Sequence, residues 1–245
     1  MENNYKLITK DNLEILSDNI EDYPGGIVIP IDKPLKWTSF NAVHKLRYKF
    51  QHHFSMKKFK IGHAGTLDPL ATGILIICAG KATKLAETFQ AEEKEYIAEV
   101  TFGATTPCFD REKEIDHRYP FEHITREGIE NILPKFIGEQ LQKPPIFSAK
   151  MINGVRAYEI ARKGQDVKMN KALINIYSIE LISFELPILK IRVRCSKGTY
   201  IRALARDLGL AANSGAYLTG LRRTMSGLFT LKDAVTIEEC DALFN

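Results

Sequence analysis

"IGHAGTLDPLATGILIICAGKATKL", residues 61–85, changes character halfway along. In its first half Gly62, Gly65 and Gly73 permit turns that other residues resist, and Pro69 pushes Asp68 into extended backbone. Its second half, 73–80, is a continuous apolar run of strand length. A tightly specified loop feeding a buried strand follows, with Asp68 on the connection and its carboxylate aimed in one direction. No other carboxylate stands within ten residues of it on either side.

Outward from this stretch the same rules place the neighbouring elements. "GGIVIPIDKP" (25–34) reads as a short buried strand, and "SFNAVHKLRYKF" (39–50) as a helix capped by Ser39. "EYIAEVTFG" (95–103) sets Tyr96, Ala98, Val100 and Phe102 on one side, the period of a half-buried strand. From 104 to 168 the composition shifts to proline, charge and short elements around a helical "TREGIENILPKF" (125–136), which predicts a loosely packed insertion. Strands resume over 172–198, and "TYIRALARDLGLAA" (199–212) is a helix with Ile201, Leu204, Ala205 and Leu208 on one face. Strands alternating irregularly with helices predict an α+β domain around a mixed or antiparallel sheet.

With 245 residues, 44% of them hydrophobic, the chain can bury a substantial core. No run approaches the ~18 apolar residues of a membrane span, and the start "MENNYKLITKDNLEIL" carries acids where a signal peptide is basic. A cytoplasmic protein is expected. Cys78, Cys108, Cys195 and Cys240 stand far apart and read as buried thiols of a reducing compartment. Charge is unevenly spread: residues 1–24 hold six acids against two lysines, whereas 45–60 and 190–206 each hold six Lys/Arg and no acid. Basic runs interleaved with Tyr, Phe and His suit a polyanion with exposed bases, although a solvated charged face has the same composition.

For Asp68 two readings stay open: a carboxylate that satisfies backbone N–H groups in an Asx turn, and a lone nucleophile or base. A Walker loop fails because Gly80-Lys81 is followed by Ala82 and Gly73 is misplaced. A magnesium site and a glycosidase pair both lack local carboxylates. Arg202 falls in the first turn of its helix, where the dipole disfavours a cation unless an anion compensates, so it either pairs with a functional carboxylate or sits at the surface on Asp207. His63 and Tyr96 offer flat faces to a flipped base; Tyr200 and Leu221 complete an apolar slot, with Arg222 and Arg223 beside it for phosphates.

These residues carry a resemblance. "GHAGTLDPLATGILIICAGKATKL", preceded by "IDKPLKWTS" and followed by "KEYIAEVTFGATT", "PPIFSAKMINGVRAYEIAR", "VRCSKGTYIRALARDLG" and "LTGLRRTMSG", resembles the TruB-type tRNA pseudouridine synthases in block order. The resemblance implies the pseudouridine synthase fold, a mixed, mostly antiparallel sheet with flanking helices and a thumb-like insertion at 104–168. It divides the chain into a polar segment 1–25 and a catalytic domain 26–245 without a C-terminal PUA module. It implies an isomerase that converts uridine 55 in the T-loop of tRNA, without cofactor or metal. No exposed apolar stripe in the sequence suggests more than a monomer, and no protein partner is expected.

Position by position, Asp68 resembles the catalytic aspartate, Arg202 its partner, and Tyr96 the aromatic against the target base. His63 is similar to the residue holding the flipped T-loop. Tyr200 and Leu221 match the uridine pocket, and Lys33 with Pro34 a structural motif beneath it. Lys36 stands where Gly is usual, and Met151, beside Lys150, where Lys is frequent. A protein that binds tRNA in the same cleft without chemistry is the rival reading, and a sugar-active hydrolase a weaker one.

Overall fold

The computed structural model describes residues 4–148, 151–152, 155–156, 160 and 169–244. Along the chain run β1 (Lys6–Leu7), β2 (Ile27–Lys33), α1 (Ser39–His53), β3 (Ile61–Ala64), β4 (Ala71–Ala79), α2 (Ala86–Ala91) and β5 (Lys94–Phe102). Then come β6 (Ala104–Thr105), β7 (His117–Arg118), α3 (Arg126–Ile132), β8 (Gly138–Gln142), β9 (Met151–Ile152) and β10 (Val155–Arg156). β11 (Ala172–Glu185), β12 (Ile188–Cys195), α4 (Ile201–Ala211), β13 (Ala216–Ser226), β14 (Phe229–Thr230) and β15 (Val235–Thr236) complete it. The chain divides into two compact units, residues 1–96 with 222–245, and residues 97–221.

In the first unit β2 is the central strand. It pairs antiparallel with β4 from Ile27↔Ala79 to Lys33↔Gly73, and parallel with β1 and β15. β3 lies antiparallel on β4, from Ile61↔Ala79 to Ala64↔Ile76. The continuous apolar runs are explained by burial on both faces: Ile27, Val28, Ile29 and Ile31 of β2 and residues 74–79 of β4 are at most 1% exposed. α1 lays Ala42, Val43, Leu46 and Phe50 against this core. The acidic N-terminal stretch also contributes, since Ile8 and Leu16 are buried and the Lys6 and Ile8 N–H groups donate to the Gly26 and Val28 carbonyls.

α1 starts at the residue expected, but Ser39 is not its cap. Thr38 holds that position: its hydroxyl accepts from the Asn41 N–H at 3.0 Å, and its own N–H donates to the Asn41 side chain at 2.9 Å. Ser39 is thereby released to turn inward, where it is 2% exposed.

The second unit is built on the β11–β12 hairpin, paired from Ile176↔Cys195 to Glu185↔Ile188, with β8 antiparallel on the other edge of β11. In β5, Ala98, Val100 and Phe102 are buried and their neighbours half-buried, as the alternation predicts. α4 buries Ile201, Leu204, Ala205 and Leu208, the face read from sequence. α3 is capped by Thr125, whose hydroxyl accepts from the Gly128 N–H. Lys150, and much of 149–168, lies outside the described residues. Within each unit the pairings named are antiparallel apart from β1 and β15 on β2, a mixed, mostly antiparallel sheet with the four helices named among the described residues. No helix among the described residues is long and apolar enough to cross a membrane.

Candidate active site

Asp68 sits on the connection between β3 and β4, residues 65–70, and the backbone on both sides of it is tied down. Before it, the Leu67 N–H donates to the Ser39 hydroxyl at 2.9 Å, and that hydroxyl donates to the Leu67 carbonyl at 3.0 Å. After it, the Pro69 carbonyl accepts from the Lys36 N–H at 2.8 Å, and the Asp68 carbonyl itself from Ala71 N–H at 3.0 Å. At the loop's base Arg223, 1% exposed, donates from Nη2 to the Gly65 carbonyl at 3.0 Å and from Nε to the Ile74 carbonyl at 2.6 Å. The carboxylate of a half-buried Asp68 is therefore held by its frame and not by the chance of a flexible loop.

Lys33 ends β2 opposite Gly73 and is fully buried. Its ammonium donates to the Pro34 carbonyl at 2.9 Å and the Trp37 carbonyl at 2.6 Å, closing the 34–37 turn whose next link, Lys36, reaches Pro69. Burial pulls the ammonium down to about 8, opposed by the Asp68 carboxylate, assisted by the Arg223 charge and opposed again by Asp32. Lys33 thus feels the charge of Asp68.

Between about pH 8 and the ordinary lysine value of 10.5 the folded chain binds fewer protons at Lys33 than the unfolded chain, so this group adds stability as pH rises. Wild type should gain about 2 kcal/mol relative to Lys33→Met between roughly pH 7.5 and 9.5. Urea unfolding of both proteins at the two pH values measures it.

Lys36 itself adopts φ 68°, the left-handed region that favours glycine. A lysine there carries about 1–2 kcal/mol of steric cost, and glycine's extra unfolded-state entropy returns only part of it. Lys36→Gly is expected to raise stability by up to about 1 kcal/mol, read from the urea midpoint at unchanged slope.

His63 stands in β3, half-buried, five residues before Asp68, with Ile77 as its Cα partner. Tyr96 is 9% exposed near the start of β5. Arg222 and Arg223 are not the free phosphate ligands expected: Arg223 is spent on the two loop carbonyls, and Arg222 donates from Nη2 to Asp32 at 2.6 Å and from Nη1 to Thr72 at 3.3 Å.

In the second unit Tyr200 precedes α4, and the Gln142 side chain holds it by a reciprocal pair: Tyr200 N–H donates to Oε1 at 2.9 Å and Nε2 donates to the Tyr200 carbonyl at 3.1 Å. Arg202, 4% exposed, is not a surface side chain on Asp207, which pairs with Arg206 at 2.7 Å instead. Arg202 donates from Nη1 to the Cys108 carbonyl at 3.1 Å and from Nη2 to the Phe147 carbonyl at 2.9 Å, and its Nε lies 3.5 Å from Asp110. Asp110 is equally buried and accepts from the Glu112 N–H at 2.9 Å and the Cys108 thiol at 3.0 Å. Leu221 is half-buried in β13.

Ser39, Asp110 and Gln142 hold the candidate residues or their loop in place, and sequence reasoning missed them. Each reaches its partner across 28 to 92 residues, and no local signal marks them. Among the described residues, no group of three His, Cys, Asp or Glu is placed to hold a metal ion.

Residues 51–201 match the N-terminal domain of the TruB family pseudouridylate synthases. Over 217 residues the chain is 58% identical to tRNA pseudouridine synthase B of Phocaeicola vulgatus, covering 89% of this chain and 92% of that one. The corresponding Clostridium kluyveri protein is 42% identical over 215 residues, 88% of this chain and 72% of that one. Among solved structures, a crystal structure of a Cbf5-Nop10-Gar1 complex aligns with TM-score 0.68 and 28% identity over 95% of this chain; the alignment spans 61% of that longer chain.

Proposed function

Because the chain belongs to the TruB family of pseudouridylate synthases, we propose that it isomerises uridine 55 of tRNA to pseudouridine, with Asp68 as the reacting carboxylate. In the reaction the C1′–N1 bond breaks, uracil turns in place, and a C1′–C5 bond forms. C5 loses its hydrogen as a proton and N1 ends protonated, so nothing is oxidised or reduced. Breaking the glycosidic bond develops positive charge on the sugar. One ionised carboxylate, acting as nucleophile or in removing a sugar proton, is the group that charge calls for.

What carries the assignment is the frame around Asp68: four backbone ties within residues 65–71 and a buried lysine that feels its charge. A turn at Asp68 needs only the Ala71 bond; the ties to Ser39, Lys36 and Arg223 go beyond it. Tyr96, His63, Tyr200 and Leu221 are assigned to the flipped uridine and the T-stem–loop around it. Arg202 is assigned to positioning, through its ties to residues 108, 110 and 147. The enzyme is proposed to act as a monomer with no protein partner, on the T-stem–loop alone.

An unmodified tRNA tritiated at uridine C5 tests the reading. One equivalent of tritium should be released per tRNA, with the pseudouridine mapped to the T-loop. Binding without release would leave an RNA-binding protein and overturn the enzyme, and release from another site would overturn the position.

A further inference from the structure

The first unit contains a cleft of about 530 Å³ that the reaction does not use. Three segments wall it: the turn 20–24, the stretch after α1 at 56–60, and residues 80–84. It lies at the end of the β3–β4 hairpin opposite to Asp68, next to the Ile61↔Ala79 pair, about four strand residues or 13 Å along β3 from the loop. The floor is apolar, with Tyr23, Pro24, Met56 and Phe59. It is also rigid: Phe59 stacks on Phe50 at 5.1 Å and on Phe54 at 5.6 Å, and Tyr23 meets Phe54 edge-on.

The rim is cationic. Lys58, Lys60, Lys81 and Lys84 line it, all exposed, against one acid, Glu21. Among the described residues none of the four makes an ion pair, although Lys6, Lys10 and Lys49 of the same unit each find a carboxylate. The Gly80 N–H donates to the Lys60 carbonyl at 2.8 Å, which fixes two of the three walls together. A flat apolar floor under four unneutralised lysines fits a ligand with an aromatic plane and negative charge at its edge, and the volume is that of a small-molecule site.

We propose that this cleft seats one unpaired nucleotide of the RNA substrate away from the reacting uridine, its base on the Tyr23–Phe59–Met56 floor and its flanking phosphates on the lysine rim. This rests on the chain's being an RNA-acting enzyme. The cleft then supplies affinity and orientation without touching the chemistry.

Two measurements on the full chain test it. Binding of hexaadenylate, which contains no uridine, is compared with binding of an inorganic polyphosphate of equal charge. Hexaadenylate should bind at least about tenfold more tightly, the worth of one stacked base. Met56→Gln, a neutral change at a residue 37% exposed, should reduce that preference and leave polyphosphate nearly unaffected. Lys81→Ala/Lys84→Ala should weaken both ligands and lower the slope of log Kd against log salt by between about 1 and 2.

On tRNA, both variants should raise KM several-fold with kcat unchanged. Equal affinity for the two ligands, or a Met56→Gln protein that keeps its full preference, overturns the proposal. So does a fall in kcat, which would assign the cleft to the reacting end. Failure of tritium release by wild type would sink the enzyme reading while hexaadenylate binding was still being read independently.

Discussion

Asp68→Asn is expected to lower tritium release from uridine-labelled tRNA by at least about a thousandfold, some 4 kcal/mol of transition-state stabilisation. The asparagine is nearly isosteric and can sit in the same frame, since the ties at Leu67, Pro69 and Gly65 run through backbone atoms and do not involve its side chain. What it removes is the negative charge, and with it the proposed nucleophile or base and the counter-charge for the developing cation on the sugar. Stability should fall somewhat, because buried Lys33 loses a counter-charge, and binding should change hardly at all. The variant should still hold tRNA with an affinity that falls steeply as salt rises, because the phosphates are met by lysines and arginines elsewhere. Release undiminished in Asp68→Asn would withdraw the residue from the chemistry, and loss of tRNA binding would show that its part is structural.

Elements with a local signature were legible in the sequence. The run 73–80 is apolar without interruption because β4 is covered on both faces, and 95–103 alternates because β5 is half-covered. The lone Asp68 in a glycine-rich connection was legible as rigidly aimed for the same reason, that Gly and Pro act on their own dihedrals. What escaped was set by distance. Two neighbouring hydroxyls, Thr38 and Ser39, compete for one cap, and sequence cannot say which turns inward until Leu67 is known to lie there.

Arg222 and Arg223 looked alike as phosphate ligands, yet β13 sends one to Asp32 and buries the other under the Asp68 loop. Asp110 looked like one more acid in a charged stretch, although it is the buried carboxylate nearest the Arg202 guanidinium in that unit's named ion pairs. The proposed reacting carboxylate was readable because its setting is local; the contacts that frame it were not, because they are tertiary.

Gly73→Ala should be among the most damaging single-methyl changes in the first unit. Gly73 has φ 99°, where an L residue carries about 1–2 kcal/mol of backbone strain. The larger cost comes from its neighbour: an added Cβ would lie 2.2 Å from the Arg223 carbonyl oxygen and 2.8 Å from the Arg223 nitrogen, so backbone must move against backbone. Arg223 is the residue that ties both Gly65 and Ile74, so displacing it loosens the base of the Asp68 loop. A loss of roughly 4 kcal/mol is expected, at the upper end for point changes.

Gly80→Ala is the control. It shares a positive φ, 63°, but its Cβ would meet nothing closer than 3.6 Å, so only the strain remains, about 1 kcal/mol. Urea unfolding of the pair separates conformation from contact, and tritium release at a temperature where both remain folded reads the consequence for the site. At saturating tRNA, Gly73→Ala should be slow even when folded and Gly80→Ala should match wild type in kcat. Equal destabilisation of the two would mean that the close approach of β4 to Arg223 does not set the loop.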